Sequence, residues 1–185
     1  MSNNDKADVP SPWREFLQEL DALLDTPVGV HCIGGFVFSV YYGVPRTTAD
    51  VDYYSVEPAY CTKDIQSLAG QGSKLHKKHK IYFQPVGVTD LPEDYETRLV
   101  EMFANQFKKL RLYAPDPYDL ILSKLERNSQ KDRDDVATLA TNLRLRPEIL
   151  RERYEKELRP NLFNEHRHDL TLKLWIETCF EAEPA

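Results

Sequence analysis

Apolar positions along the chain mark out its elements. From Trp13 to Leu24 the residues Trp13, Phe16, Leu17, Leu20, Leu23 and Leu24 recur at helical spacing, which predicts an amphipathic helix starting at Ser11 or Pro12. Val28-Gly29-Val30-His31-Cys32-Ile33 reads as a short, fully buried strand, followed directly by Gly34-Gly35. Phe36 to Tyr42 is apolar and aromatic throughout, so periodicity alone does not separate strand from buried helix. The glycine pair before it suits a tight strand-to-helix turn and Gly43 suits a helix end, so a helix is predicted. Ala49 to Val56 is rich in strand formers and carries two aspartates. A short helix is expected over Thr62–Ala69, closed by Gly70 and Gly72, then a strand over Lys80–Val88. Leu91–Phe103 is polar with helical character, and Phe107–Tyr113 alternates like a strand.

The last third reads as helical. Asp116-Pro117 is an acidic N-cap followed by proline at the first helical position, with Leu120, Ile121, Leu122 and Leu125 as the apolar face. Ser129 and Asp132 form the Asp variant of a capping box, opening a helix that runs through Leu143. Pro147 opens another, to about Leu158. In Asn164–Phe180 the residues Leu170, Leu172, Leu174 and Ile176 alternate, but length and the Trp175–Cys179 and Ile176–Phe180 pairs favour helix.

This order predicts an α+β chain: a mobile tail over residues 1–12, a core of mixed sheet and helices over 13–113, and a helical subdomain over 114–185 packed on that core. The 185 residues, 41% hydrophobic and 29% charged, suffice for a real core and argue against global disorder. No apolar run approaches the roughly 20 residues of a membrane helix, and the opening lacks the basic and apolar regions of a secretory signal. A net charge of −6 argues against a protein that is basic all over and coats nucleic acid. Cys32, Cys61 and Cys179 fit neither a disulfide framework nor a zinc pattern, so a reducing cytoplasm is expected.

The chemistry concentrates in Gly34-Gly35 and in Arg46-Thr47-Thr48-Ala49-Asp50-Val51-Asp52. Residues two apart on a strand project to one side, so Asp50 and Asp52 point together. Two such carboxylates repel unless a cation lies between them. Their hard oxygens suit Mg²⁺, with Mn²⁺ as an alternative, in company with substrate phosphates. The glycine pair would leave backbone N–H groups open to a phosphate, and Arg46 would add a charged donor to the same anion.

Gly-Gly followed by Arg-x-Thr-x-Asp-x-Asp resembles the nucleotidyltransferase superfamily of the DNA polymerase β type. It is similar in particular to bacterial nucleotidyltransferase-like proteins related to abortive-infection and type IV toxin components. Ala114 to Arg127, containing Lys124-Leu125, followed by Lys131-Asp132-Arg133-Asp134-Asp135, is similar to that family's helical Lys-Leu … Arg-Asp-x-x-Asp motif, with Lys131 in place of Arg. The resemblance spans Trp13 to Trp175. It implies a mixed sheet flanked by helices, a helical subdomain closing the site, and metal-assisted transfer of a nucleotidyl group from an NTP to a hydroxyl. On that template Gly34 and Gly35 hold the triphosphate within the motif of Arg46 and Thr48, Asp50 and Asp52 bind the metal, and Lys124 contacts phosphate or the acceptor. Asp132 and Asp135 would shape the helical wall, although Asp132 equally suits a helix cap and Asp135 an ion pair.

One departure stands out. The family brings a third carboxylate from a neighbouring strand, and here that strand, Lys80–Val88, holds no acid. Gln84 occupies about that place, and a neutral amide cannot act as the base. Glu57 is the nearby substitute.

Lys74 to Lys80 packs four lysines and two histidines into seven positions. Lys77 and Lys80 would seat NTP phosphates or an RNA backbone; a solvated loop explains the cluster equally well. Tyr41, Tyr42, Tyr53, Tyr54 and Tyr82 are expected in the core rather than stacked on a base, and Arg144, Arg146, Arg151 and Arg153 on a solvated helix face. The leading expectation is a Mg²⁺-dependent nucleotidyltransferase acting on RNA (tRNA among others) or protein, as a toxin or phage-defence component with an antitoxin partner. The alternatives are a catalytically impaired nucleotide- or partner-binding protein on the same fold, and a nucleic-acid-binding protein using the basic cluster.

Overall fold

The computed structural model describes residues 8–180. They divide into two compact units, one of residues 8–88 with Val100–Ala114, the other of Thr89–Leu99 with residues 115–180.

The first unit is built on a five-stranded mixed sheet. Its strands are β1 (Val28–Cys32), β2 (Asp50–Glu57), β3 (Tyr82–Pro85), β4 (Val100–Met102) and β5 (Leu110–Ala114), in the order β3-β2-β1-β5-β4. β1 runs antiparallel to β2 and parallel to β5, β3 runs parallel to β2, and β4 runs antiparallel to β5. The β1–β2 register slips at His31/Cys32: His31 faces Ser55 while Cys32 faces Tyr53, leaving Tyr54 as an extra residue. The slip explains why β2 buries Val51, Tyr53 and Val56 rather than a strict alternation.

One face of the sheet is therefore apolar, with Val30, Cys32, Val51, Tyr53, Phe83 and Leu112 buried on it. Helices α1 (Trp13–Leu23) and α3 (Thr62–Ala69) cover this face. Phe16 of α1 stacks on Phe83, ring centroids 5.9 Å apart, and Gln66 of α3 donates to the Tyr53 hydroxyl at 2.8 Å. α1 buries Trp13, Phe16, Leu17 and Leu20, the stripe that three-and-four spacing dictates. Its Asp21 accepts the backbone N–H groups of Lys108, Lys109 and Leu110 at 3.1, 2.7 and 2.7 Å, fixing the start of β5. Burial works against that carboxylate, but the three N–H donors prevail and hold its pKa below the ordinary value. The opposite face is polar and carries His31, Asp50, Asp52, Gln84 and Tyr113.

The second unit is helical: α5 (Pro117–Leu122), α6 (Gln130–Leu143), α7 (Pro147–Arg153) continued by a π-turn over Tyr154–Leu158, and α8 (Glu165–Trp175) continued likewise over Ile176–Phe180. The caps fall where the sequence places them. Asp116 accepts from the N–H of Tyr118 with Pro117 at the first position, and Ser129 and Asp132 form the reciprocal capping box. The mixed sheet with a helical second part is the α+β architecture expected.

Several expectations are corrected. Leu91–Phe103 is not a helix: Tyr95–Arg98 makes one 3₁₀ turn and Val100–Met102 is the edge strand β4. A strand of three residues is too short to show alternation. The basic cluster forms a helix, α4 (Lys74–His79), capped by the Ser73 hydroxyl and ended by Lys80 at φ 61°, so it is not a loop. β3 is shorter than Lys80–Val88: it covers Tyr82–Pro85 at the sheet edge, and one further N–H, that of Val86, still donates to the Tyr53 carbonyl at 2.9 Å. The tail expected over residues 1–12 falls partly outside the described residues. Within them Val9 is fully buried, its N–H donating to Gln106 Oε1 at 3.1 Å and its carbonyl accepting from Arg14 Nε at 2.8 Å.

Candidate active site

On the polar face, local geometry gathers one group of side chains around the glycine turn. β1 ends at Cys32, and Gly34, at φ 70°, turns the chain sharply into α2 (Gly34–Phe36), which continues as a π-turn over Val37–Tyr41. A Cβ at Gly34 would lie 2.2 Å from Asp52 Oδ2. One at Gly35 would lie 2.8 Å from Thr48 Oγ1 and 2.9 Å from an Arg46 guanidinium nitrogen. Gly34 needs glycine for its backbone as well as for space, and a side chain at Gly35 would have to displace Thr48 and Arg46. The Ile33 N–H donates to the Asp52 carbonyl at 2.9 Å, which ties the turn to β2, and the Thr48 hydroxyl donates to Asp50 Oδ1 at 2.8 Å.

Gly34, Gly35, Arg46, Thr48, Asp50 and Asp52 thus form one constellation. The two glycines lie beneath the other side chains of this group. Both are buried, and side chains of Asp52, Thr48 and Arg46 lie over them, so they serve the close approach of those groups. The charge at this point is felt locally: burial first, then the Asp52 carboxylate, push the Cys32 thiol far above its ordinary pKa, leaving it inert.

Gln84 is in register with Asp52 across β2–β3, as Tyr82 is with Asp50. Paired residues of parallel strands share a face, so the amide sits beside Asp52 on the polar side. Its Nε2 donates to the Pro85 carbonyl at 3.3 Å. Glu57 is no substitute: it lies five residues beyond Asp52, about 16 Å along the strand. Its exposed carboxylate instead lies 3.7 Å from His31 Nε2. His31 itself escapes sequence reasoning, because its strand reads as uniformly buried. It is buried on the polar face, its ring edge-on to Tyr113 with centroids 5.7 Å apart.

The basic cluster is partly spent on structure. α4 packs against α1 and α3, with Lys78 Nζ 2.6 Å and His79 Nε2 2.8 Å from Glu19 Oε2. Lys77 and Lys80 are exposed, on that helix and at its end. Among the tyrosines, Tyr41 and Tyr53 are core, Tyr42 and Tyr82 are half-buried, and Tyr54 is exposed at the bulge. Arg153 is no solvated residue: it binds Asp116 and Asp119 at 2.6 and 3.0 Å.

Lys124, Asp132 and Asp135 belong to the second unit. Lys124 is buried with its Nζ 3.8 Å from Asp132 Oδ1. Asp132, fully buried, accepts from two of the Arg127 guanidinium nitrogens, Nε and Nη2, and from the Ser129 hydroxyl and the Ser129 N–H, so it is a cap and a charge anchor. Burial would raise its pKa, but the Arg127 and Ser129 hydrogen bonds outweigh that and hold it well below the ordinary 3.8. A depressed carboxyl stabilises the fold above its unfolded-state pKa and loses that contribution as pH falls. Asp132→Asn is expected to cost about 1.5–3 kcal/mol at pH 7. Denaturant melts should show the gap to wild type closing as pH drops below about 4. A gap independent of pH would contradict this assignment.

Against known proteins, residues 14–179 match the family described as "Nucleotidyltransferase of unknown function (DUF6036)". No curated protein and no solved structure gives a match. Among the described residues no helix is long and apolar enough to cross a membrane.

Proposed function

Since the chain belongs to this nucleotidyltransferase family, we propose that Asp50 and Asp52 hold Mg²⁺, or Mn²⁺ in its place, for transfer of a nucleotidyl group from an NTP to a hydroxyl of RNA or protein. The observation that carries the reading is the Asp52 carboxylate seated where a Gly34 side chain would be, with Asp50, Thr48 and Arg46 beside it. Two carboxylates on alternate residues of one strand offer the hard oxygens that Mg²⁺ takes. When bound, the ion would neutralise polyphosphate charge and polarise the reacting phosphoryl group. Thr48 orients Asp50 through its 2.8 Å hydrogen bond, and Arg46 supplies a planar, permanently charged donor set for phosphate oxygens. Lys77 and Lys80 add exposed positive charge for a polyanionic acceptor. The acceptor oxygen bonds to the α-phosphorus, the bond from it to the bridging oxygen breaks, and pyrophosphate leaves.

Deprotonating the acceptor is the step this chain serves least, since Gln84 stands beside Asp52 where a base is needed. That same observation favours a second reading, a protein that binds nucleotide with little or no transfer. The resemblance of the two motifs supports a cytoplasmic toxin or phage-defence setting and an antitoxin partner, which growth arrest on expression would test.

Labelled NTPs, Mg²⁺ and total RNA, with the protein itself as a second acceptor, test the proposal. Transfer is expected to need the divalent ion and to fall about 10³-fold in Asp52→Asn, matching the several kcal/mol a metal contributes. Gln84→Glu should raise the rate if the missing base limits it. Transfer by Asp50→Asn and Asp52→Asn equal to wild type would reject the assignment. Tight NTP binding with no transfer in wild type, and transfer appearing in Gln84→Glu, would establish the second reading instead.

A further inference from the structure

Outside the glycine–aspartate constellation, the second unit holds a convergence of three ligating groups from three separate stretches of chain. Asp90 comes from the segment Thr89–Leu99, Glu126 from the turn after α5, and His168 from the first half of α8. Their ligand atoms all lie within 4.8 Å of one another.

His168 is the informative member. It is only 3% exposed. Its Nδ1 lies 2.8 Å from the Asn164 carbonyl, which can only accept, so Nδ1 carries a proton. The other nitrogen, Nε2, is buried and makes no hydrogen bond. It is aimed at two carboxylate oxygens, Asp90 Oδ2 at 3.5 Å and Glu126 Oε2 at 3.3 Å. An imidazolium paired with a carboxylate would close to about 2.7–2.9 Å, and neither distance does. A neutral Nε2 would turn its lone pair on two negative oxygens, with nothing between them to offset the repulsion.

Both difficulties vanish if a cation sits among the three atoms. Tetrahedral coordination with bonds of about 2.0–2.1 Å sets neighbouring ligand atoms about 3.3–3.4 Å apart, close to the two distances to His168. The support around the ligands has the expected form. The Asn164 carbonyl fixes the ring and its tautomer, and Arg167 fixes Glu126, donating to its Oε1 at 3.2 Å and to its backbone carbonyl at 2.7 Å.

We propose that His168 Nε2, Asp90 Oδ2 and Glu126 Oε2 form a binding site for a transition-metal divalent cation of the zinc class. A buried imidazole nitrogen selects against Mg²⁺, which prefers an all-oxygen shell, and suits Zn²⁺. The site is separate in chemistry from the carboxylate pair on β2. Its effect is to clip the Thr89–Leu99 segment to α8 and to the α5–α6 turn. Three protein ligands leave a further coordination position, in this case for water.

The test is calorimetric titration of chelator-treated full-length protein with Zn²⁺, in wild type and in Asp90→Asn, Glu126→Gln and His168→Gln. Asp90 is half-buried and Glu126 exposed, so their substitution leaves the fold in place even where that of His168 does not. One ion per chain is expected, unaffected by millimolar Mg²⁺, with affinity at least about 10-fold weaker in Asp90→Asn and in Glu126→Gln. Free Zn²⁺ at 100 times its Kd should raise the melting temperature by about 5–10 °C. Asp50→Asn/Asp52→Asn should bind Zn²⁺ like wild type, which separates this site from the proposed Mg²⁺ site. Absence of Zn²⁺ binding in wild type, or binding that Asp90→Asn and Glu126→Gln leave unchanged, would overturn the proposal.

Discussion

Gly34→Ala is expected to abolish most nucleotidyl transfer and to destabilise the fold as well. Alanine at φ 70° costs about 1–2 kcal/mol from its own backbone. Its Cβ would also lie 2.2 Å from Asp52 Oδ2 and 3.0 Å from the Cβ and Cγ of Asp52. The carboxylate has to move by about 1 Å to restore van der Waals distance, and a displacement of that size in a reacting array costs about 10²-fold in rate. Gly43→Ala is the control, since Gly43 has φ 72° and nothing within 4 Å of an added Cβ. It should carry the backbone cost alone and keep its activity. Thermal melts and transfer assays on the two variants separate strain from displacement. Equal activity in both would show that the Asp52 position does not matter.

Arg98→Met is expected to destabilise the helical unit strongly. Arg98 donates from Nε to Asp119 Oδ2 at 2.8 Å and from a terminal nitrogen to Oδ1 at 3.2 Å, and it also binds Glu157 at 2.6 Å. Asp119 is fully buried, so removing its principal partner strands a charge in the interior. Arg153 remains 3.0 Å away and limits the damage to about 3 kcal/mol, or about 6–12 °C in melting temperature. Burial raises the Asp119 pKa despite both arginines. A carboxyl raised in the folded state destabilises the fold above its unfolded-state pKa and relieves that strain as it takes up a proton at lower pH. The Arg98→Met deficit should therefore be largest near neutrality and shrink in acid, and Arg98→Met/Asp119→Leu should recover part of it. An unchanged melting temperature would refute the buried network.

What the sequence made legible was local. The α1 stripe, the Asp116-Pro117 start and the Ser129–Asp132 box are signals a few residues long, and the structure has each in place. Asp50, Asp52 and the glycine pair could be picked out for the same reason, and even Gln84 could be matched to its position beside Asp52. What the glycines accommodate could not, because the side chains over Gly35 come from 11 and 13 residues away along the chain. The extra residue Tyr54 changes which side of β2 each later residue faces, and no propensity announces it. α4 was hidden by its own lysines, since Leu75 is its only buried residue. β4 and the insertion of β5 beside β1 depend on pairing between distant strands. Asp90, Glu126 and His168 share no motif spacing at all, and only the folded helical unit brings them together.

The central claim is that Asp50 and Asp52 bind a divalent ion together with a nucleoside triphosphate. Calorimetric titration with ATP and GTP, in Mg²⁺ and again in EDTA, tests it without relying on turnover or on knowing the acceptor. Binding should weaken at least about 10-fold without the ion and disappear in Asp50→Asn/Asp52→Asn at an unchanged melting temperature. Nucleotide binding that is the same with and without Mg²⁺, or that survives loss of both carboxylates, would contradict it.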